Sequence, residues 1–174
     1  WGQDYFSIFT VAAFDKDAGE LVDGNHKPQV FLVNQSPIDP GDRFHRIVFS
    51  SDGNYQLTLD DGPDQVVIGS GTEDFGDNSY HVFSSVIYDD RPYGGPRARV
   101  KNYVNGGDHK ASRNLMNPGG ATGPIGSTEG DDTLYSAPAN PFLGKVKEII
   151  VYESDQYINR DSIHSNIKEW YQIP

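Results

Sequence analysis

Short runs of β-branched and aromatic residues, separated by clusters of Gly, Asp, Asn and Pro, dominate this sequence. Such a pattern predicts many short strands joined by tight turns. Roughly nine or ten strands with hairpin connections favour an all-β, antiparallel sandwich of two sheets. The clearest runs span residues 5–14, 29–34, 43–50, 55–60, 65–69, 80–88, 97–105 and 143–153.

Side-chain alternation within the runs predicts which faces are buried. The first run places Phe6 and Ile8 on one face and Phe9 and Val11 on the other, which indicates a strand with apolar residues on both sides. The last run, 143–153, is so densely apolar that we expect a central strand covered on both faces. Between residues 50 and 55, Asp52-Gly53 supplies the positive φ that a tight hairpin requires.

Only the C-terminal segment has helical periodicity. Asn159 is expected at its N-cap, with Ile158 and Ile163 forming a hydrophobic staple. We expect the stripe to pack on a sheet and its aromatic residues to belong to the core. The stripe consists of Ile163, Ile167, Trp170 and Tyr171.

Length and composition limit the class of protein. A chain of 174 residues fits one domain, 1–174, and its lack of cysteine excludes disulfides and thiolate chemistry. A net charge of −11 disfavours nucleic acid, and no apolar run is long enough for insertion in a membrane. Because the chain begins with Trp1, we expect it to be a fragment of a longer protein.

Four segments occur in this order: YHVFSSVIYD (80–89), VKNYVNG (100–106), FLGKVKEIIVY (142–152) and the helix that starts near Asn159 and ends at Trp170-Tyr171. Together they resemble the concanavalin A-like (laminin-G-like) domain family. Asn102, in the second, stands where the family usually has an aliphatic residue. The resemblance implies a jelly-roll sandwich with one short C-terminal helix, a fold that hosts lectins as well as hydrolases and lyases.

Catalytic signatures are missing from the sequence. Hydrolases that resemble this family carry paired acids on one strand, but Ile150 stands where a partner for Glu148 would lie. The histidines have no metal-ligand spacing, and no lyase signature surrounds the tyrosines. We therefore predict that the protein is not an enzyme, with a polysaccharide lyase or glycoside hydrolase as the less favoured alternative.

A row of cations on one strand face is the strongest candidate for a binding site. Alternate residues from 97 to 103 share that face, and could hold an anionic sugar or a carboxylate partner while a tyrosine ring stacks on a pyranose. The alternative is that the cations pair with acids of neighbouring strands. The predicted contacts are Tyr93, Arg97, Arg99, Lys101 and Tyr103.

Calcium is the one cofactor that the sequence suggests. Laminin-G-like domains often bind it at a loop rim through Asp carboxylates, and the resemblance points to acidic loops here. The selected metal ligands are Asp60, Asp61 and Asp64, with Asp89-Asp90 as another acidic loop.

These observations predict a recognition module for glycans or protein surfaces. We expect it to function in glycan binding or adhesion as part of a larger extracellular, cell-surface or virion protein, with homo-oligomers formed through that parent. The alternative is a structural domain of a viral fibre, spike or capsid appendage that mediates subunit contacts.

Overall fold

The computed structural model describes eleven strands, one 3-10 turn and one α-helix. The strands are β1 Ser7–Ala13, β2 Leu21–Val22, β3 Asn25–His26, β4 Gln29–Gln35, β5 Phe44–Phe49, β6 Tyr55–Asp60, β7 Gln65–Gly69, β8 His81–Asp89, β9 Ala98–Val104, β10 Ala111–Leu115 and β11 Lys145–Tyr152. The 3-10 turn is Arg91–Tyr93 and the helix, α1, is Arg160–Tyr171. The described residues are 5–18, 21–22, 25–26, 29–35, 44–49, 53–60, 65–69, 74–93, 98–108, 111–115 and 142–174.

The strands form two main antiparallel sheets. One sheet has the order β10-β9-β8-β1-β11, the other has the order β4-β5-β6-β7, and β2 pairs with β3 alone. The predicted all-β antiparallel sandwich with a C-terminal helix is confirmed. Sequence patterns missed β2, β3 and β10, because two-residue strands carry no alternation and the polar β10 run has weak strand propensity.

Strand β1 is apolar on both faces, as its alternation predicts. Phe6 and Ile8 lie in a core that also contains Tyr55 from the four-stranded sheet, so this core lies between the sheets. Phe9 and Val11 lie in a second core with Ile167 of α1. The five-stranded sheet is therefore covered by the other sheet on one face and by the helix on the other.

A buried hydrogen-bond chain links the two sheets. The Tyr55 and Ser85 hydroxyls lie 2.7 Å apart, and Ser85 Oγ donates to Asn102 Oδ1 at 2.8 Å. Ser85 and Asn102 are directly paired on β8 and β9. This network explains the polar Asn102 in the VKNYVNG segment, because its side chain accepts a hydrogen bond inside the sandwich.

The predicted central position of the last strand is wrong. Among the described strands, β11 stands at one edge of its sheet with β1 as its neighbour. Its first residues, Lys145 to Lys147, are exposed, while Ile149 and Ile150 are half-buried on opposite cores. The dense apolar run reflects two-faced packing in its second half, and such packing does not require a strand on each side.

The helix begins where the sequence predicts, and three residues of its predicted stripe, Ile163, Ile167 and Tyr171, pack in the second core. Asn159 is at the N-cap, although its side chain does not cap the helix and Ile158 is exposed. Trp170 is also exposed, contrary to its predicted place in the core, whereas His164 is buried. The His164 ring meets Phe9 edge to face with centroids 5.4 Å apart, so the buried side of the helix includes His164 in place of Trp170. No helix in the described ranges has the length and apolarity that crossing a membrane requires.

Candidate functional site

An aromatic and cationic surface lies at one end of the five-stranded sheet. Strands β8 and β11 are each antiparallel to β1, so the C-terminal ends of both strands lie at this end of the sheet. Strand β9 begins at the same end, because it is antiparallel to β8. The 3-10 turn after β8 and the loop between β11 and α1 consequently meet. We call the surface the tyrosine–lysine cluster; its members are Tyr88, Tyr93, Lys101 and Tyr157.

Three tyrosines form its aromatic part. The rings of Tyr88 and Tyr157 stack with centroids 4.0 Å apart and an interplanar angle of 3°. Tyr93 meets Tyr157 edge to face at 5.3 Å, and its side chain is 51% exposed. Tyr88 is buried beneath them, so Tyr93 and part of Tyr157 are the rings that a ligand can reach.

Lys101 places a cation beside these rings. Its Nζ donates a hydrogen bond to the Tyr157 hydroxyl at 3.0 Å and lies 4.7 Å from that ring's centroid. The Tyr88 centroid is 5.6 Å away. An ammonium can donate three hydrogen bonds. Lys101 can therefore keep Tyr157 as a partner and still bind an oxygen of a ligand.

The electrostatics of the stacked pair are unequal. The hydrogen bond and positive charge of Lys101 lower the pKa of the Tyr157 hydroxyl. Burial raises the pKa of the Tyr88 hydroxyl, and the neighbouring Tyr157 and Asp90 add to the rise. The Tyr88 hydroxyl is therefore neutral at pH 7, and Lys101 supplies the positive charge of the cluster.

Arg160 and Tyr103 lie below the cluster. The Arg160 guanidinium carbon is 4.7 Å from the Tyr157 ring centroid and 5.1 Å from that of Tyr103. Arg160 Nη1 also donates to the Tyr157 carbonyl, which holds this loop against α1. Tyr103 is only 1% exposed, and burial raises the pKa of its hydroxyl. Its ring packs on the helix, so it has no open face for a pyranose.

The remaining predicted contacts are the two arginines, Arg99 and Arg97. Arg99 Nη2 lies 3.1 Å from Asp90 Oδ2, and the Asp90 side chain is nearly buried. For Arg99 the alternative of pairing with a neighbouring acid therefore holds. Arg97 lies outside the described residues. The structure thus brings Tyr93 and Lys101 together and sets Arg99 and Tyr103 into supporting contacts.

Sequence reasoning missed Tyr157 and Arg160. Tyr157 stands in the connection from β11 to α1 and Arg160 is the first residue of α1, so both come more than fifty residues after Lys101 in the chain. No local pattern relates them to β9, since the order of strands in the sheet creates their proximity. The usable signal was the turn before the helix, residues 155–159, where Asp155 Oδ1 accepts from the Tyr157 N–H at 2.7 Å.

Acids near the cluster are engaged in local contacts. Asp89 accepts hydrogen bonds from the Arg91 guanidinium, which lowers the pKa of that carboxyl, and Asp90 pairs with Arg99. The Asp89-Asp90 loop is therefore a poor fit for calcium. Within the described residues, no group of three His, Cys, Asp or Glu side chains could hold a metal.

The predicted calcium ligands lie largely beyond the described residues. Asp60 ends β6, and its side chain is not described. Asp61 and Asp64 fall in 61–64, which is outside the described ranges. Calcium binding at this loop remains a prediction.

In comparisons with known proteins, this chain matches solved structures but no family model and no curated sequence. A CBM40 domain of the Ruminococcus gnavus IT-sialidase, bound to alpha2,6 sialyllactose, has a TM-score of 0.62 at 15% identity, with 94% of this chain and 84% of that chain covered. The same domain bound to alpha2,3 sialyllactose has a TM-score of 0.61 at 14% identity, with 92% and 82% covered.

A native heptameric SAP-like pentraxin from Limulus polyphemus is also similar. Its TM-score is 0.56 at 13% identity, with 92% of this chain and 69% of that chain covered. Both the carbohydrate-binding modules and the pentraxin are lectin-like sandwiches of the concanavalin A-like kind. At these identities the likeness concerns the fold. The chain has a jelly-roll β-sandwich fold.

Proposed function

We propose that this chain is a non-catalytic glycan-recognition module whose tyrosine–lysine cluster binds an acidic sugar. The observation that carries the proposal is the placement of Lys101 Nζ beside Tyr157, next to the half-exposed ring of Tyr93. A carboxylated sugar offers an anion for the ammonium and an apolar ring face for the tyrosine. A net charge of −11 makes a local cation more selective, because the rest of the surface repels anions.

The similar structures support this ligand class. The CBM40 domains were solved with sialyllactose, and its sialic acid unit is a carboxylated sugar. Carbohydrate-binding modules act without catalysis, and the acids around the cluster are paired with arginines or a backbone amide. We propose a secreted or surface setting, where such glycans are displayed. Membership of a longer protein, adhesion and oligomerisation through a parent remain predictions.

Isothermal titration of the whole chain with sialyllactose and with lactose tests the proposal. Lactose lacks the carboxylated unit, so preference for sialyllactose measures recognition of the acid. Lys101→Met should reduce affinity for sialyllactose roughly tenfold, the equivalent of one charge-assisted hydrogen bond. Lys145→Met is the matched control, because Lys145 is exposed at the other end of β11.

Two further measurements refine the result. Tyr93→Ala should weaken both sugars, because the ring face contributes without regard to charge. Adding a chelator tests the predicted calcium: lost affinity would assign the metal a part in binding. Equal affinity for the two sugars, or equal losses in the Lys101 and Lys145 variants, would contradict the proposed acidic-sugar site.

A further inference from the structure

Trp170 is the most exposed large apolar side chain among the described residues, at 80%. It lies in the last turn of α1, and the backbone around it is fixed. Ile167 before it and Ile173 after it are both buried in the helix-side core. The Ile173 N–H donates to the Lys168 carbonyl at 2.9 Å, so the chain after the helix folds back onto it. Fraying of the helix end therefore does not account for the exposed indole.

The residue that follows Trp170 fixes the same turn to the sheet. Lys147 Nζ lies 5.2 Å from the Tyr171 ring centroid and 4.2 Å from that of Tyr80. Lys147 is the extra residue of a bulge in β11, between the partners of Val11 and Ala12. A bulge redirects a side chain, and here it brings Lys147 to the helix. The indole is thus presented on a rigid support.

The surroundings of the indole are polar. Asn166, one helical turn earlier, is exposed, as are the adjacent Glu169 and the cap residue Gln172. Ile158, also strongly exposed, lies 12 residues away in sequence, about 18 Å along a helix. A protein interface core would require a broader apolar surface than this. One aromatic ring flanked by amides and a carboxylate matches a pyranose, which has an apolar face and a rim of hydroxyls.

We propose that Trp170 is a stacking platform for a neutral pyranose unit, and that it forms a second glycan contact distinct from the tyrosine–lysine cluster. The carboxylate of Glu169 and the net charge of −11 disfavour an anionic sugar at this position. The inference rests on the proposed function in one respect only, since both sites take glycans. Their ligands differ in charge, and their key residues lie on different elements.

Intrinsic fluorescence reports directly on this site. The chain has two tryptophans, Trp1 and Trp170, so Trp1→Phe leaves Trp170 as the single tryptophan, whose emission is excited selectively over that of the tyrosines. The Trp1→Phe protein is titrated with uncharged oligosaccharides of glucose, galactose and mannose. We expect a saturable change in the emission of Trp170 with at least one of them, with a dissociation constant of about 1 mM, because a single shallow contact binds weakly.

Variants separate the two sites. In ligand-observed NMR, Trp170→Ala should lose roughly tenfold in affinity for that oligosaccharide, while Trp170→Phe should retain most of it, because a ring remains. Lys101→Met is the control and should leave this binding unchanged. Conversely, Trp170→Ala should still prefer sialyllactose to lactose if the cluster functions as proposed.

Two results would overturn the inference. One is the lack of a saturable emission change with any of the three oligosaccharide series. The other is an emission shift that depends on protein concentration without sugar, together with self-association that Trp170→Ala abolishes. That second result would assign the indole to contact between copies of the chain.

Discussion

Acidification should destabilise this protein through His164. The imidazole is buried between α1 and the five-stranded sheet, where it meets Phe9 edge to face at 5.4 Å. Its Nε2 lies 2.8 Å from Ser84 Oγ, and its Nδ1 is buried with no hydrogen-bond partner. Burial lowers the pKa of His164 to about 4, and the positive charges of Lys168 and Arg160 on the same helix add to the effect.

The pKa difference sets the size of the loss. An unfolded histidine titrates near 6.5 and the folded one at about 4, and each pKa unit corresponds to roughly 1.4 kcal/mol. Between these values the unfolded chain binds a proton that the folded chain does not, so stability falls as the pH falls. The contribution of His164 is therefore complete above pH 6.5 and is reduced by about 3 kcal/mol at pH 4.

Urea unfolding measured between pH 7 and pH 4 tests this reasoning. His164→Gln keeps a polar partner for Ser84 but cannot accept a proton, so its stability should decline less over the same range. The difference between the pH profiles of stability of the two proteins isolates the contribution of His164 from that of the acids that titrate in the same pH range. Parallel pH profiles, or an NMR titration that places the His164 imidazole near its ordinary pKa, would refute the argument.

Three substitutions test the packing of the sandwich. Tyr55→Phe removes one end of the hydrogen-bond chain to Ser85 and should lower the free energy of unfolding by about 1 kcal/mol in chemical denaturation; an unchanged midpoint would show that the buried hydroxyls contribute nothing. Gly53→Ala should cost about 1–3 kcal/mol, because Gly53 has a φ of +82° and a Cβ there would lie 1.8 Å from Asp74 Oδ1; a neutral result in thermal melts would argue against this turn. Ile8→Ala leaves a cavity between the sheets and should cost about 2–5 kcal/mol, whereas a loss below about 1 kcal/mol would place Ile8 outside the core.

Much of the fold was predictable because the side-chain pattern of a strand and the residues of its turns are local features of the sequence. Alternation in residues 5–14 predicted two-faced burial, and β1 indeed contributes Phe6 and Phe9 to opposite cores. The positive φ at Gly53 and the meander of β5, β6 and β7 follow from turn chemistry, which depends on a few adjacent residues. Strand β10 escaped notice because pairing with β9 fixes it rather than its own propensity.

The candidate site shows what the sequence by itself could not determine. Residue type and spacing in the sequence selected Tyr93 and Lys101. Their contacts with Tyr157 depend on strand order, which brings the ends of β8 and β11 to one end of the sheet. Helical periodicity also assigned Trp170 to the core and overlooked His164, since it defines an apolar stripe but not how the helix is rotated against the sheet. Local side-chain patterns determine strands, turns and the helix; only the packing of distant segments decides which rings and charges face solvent.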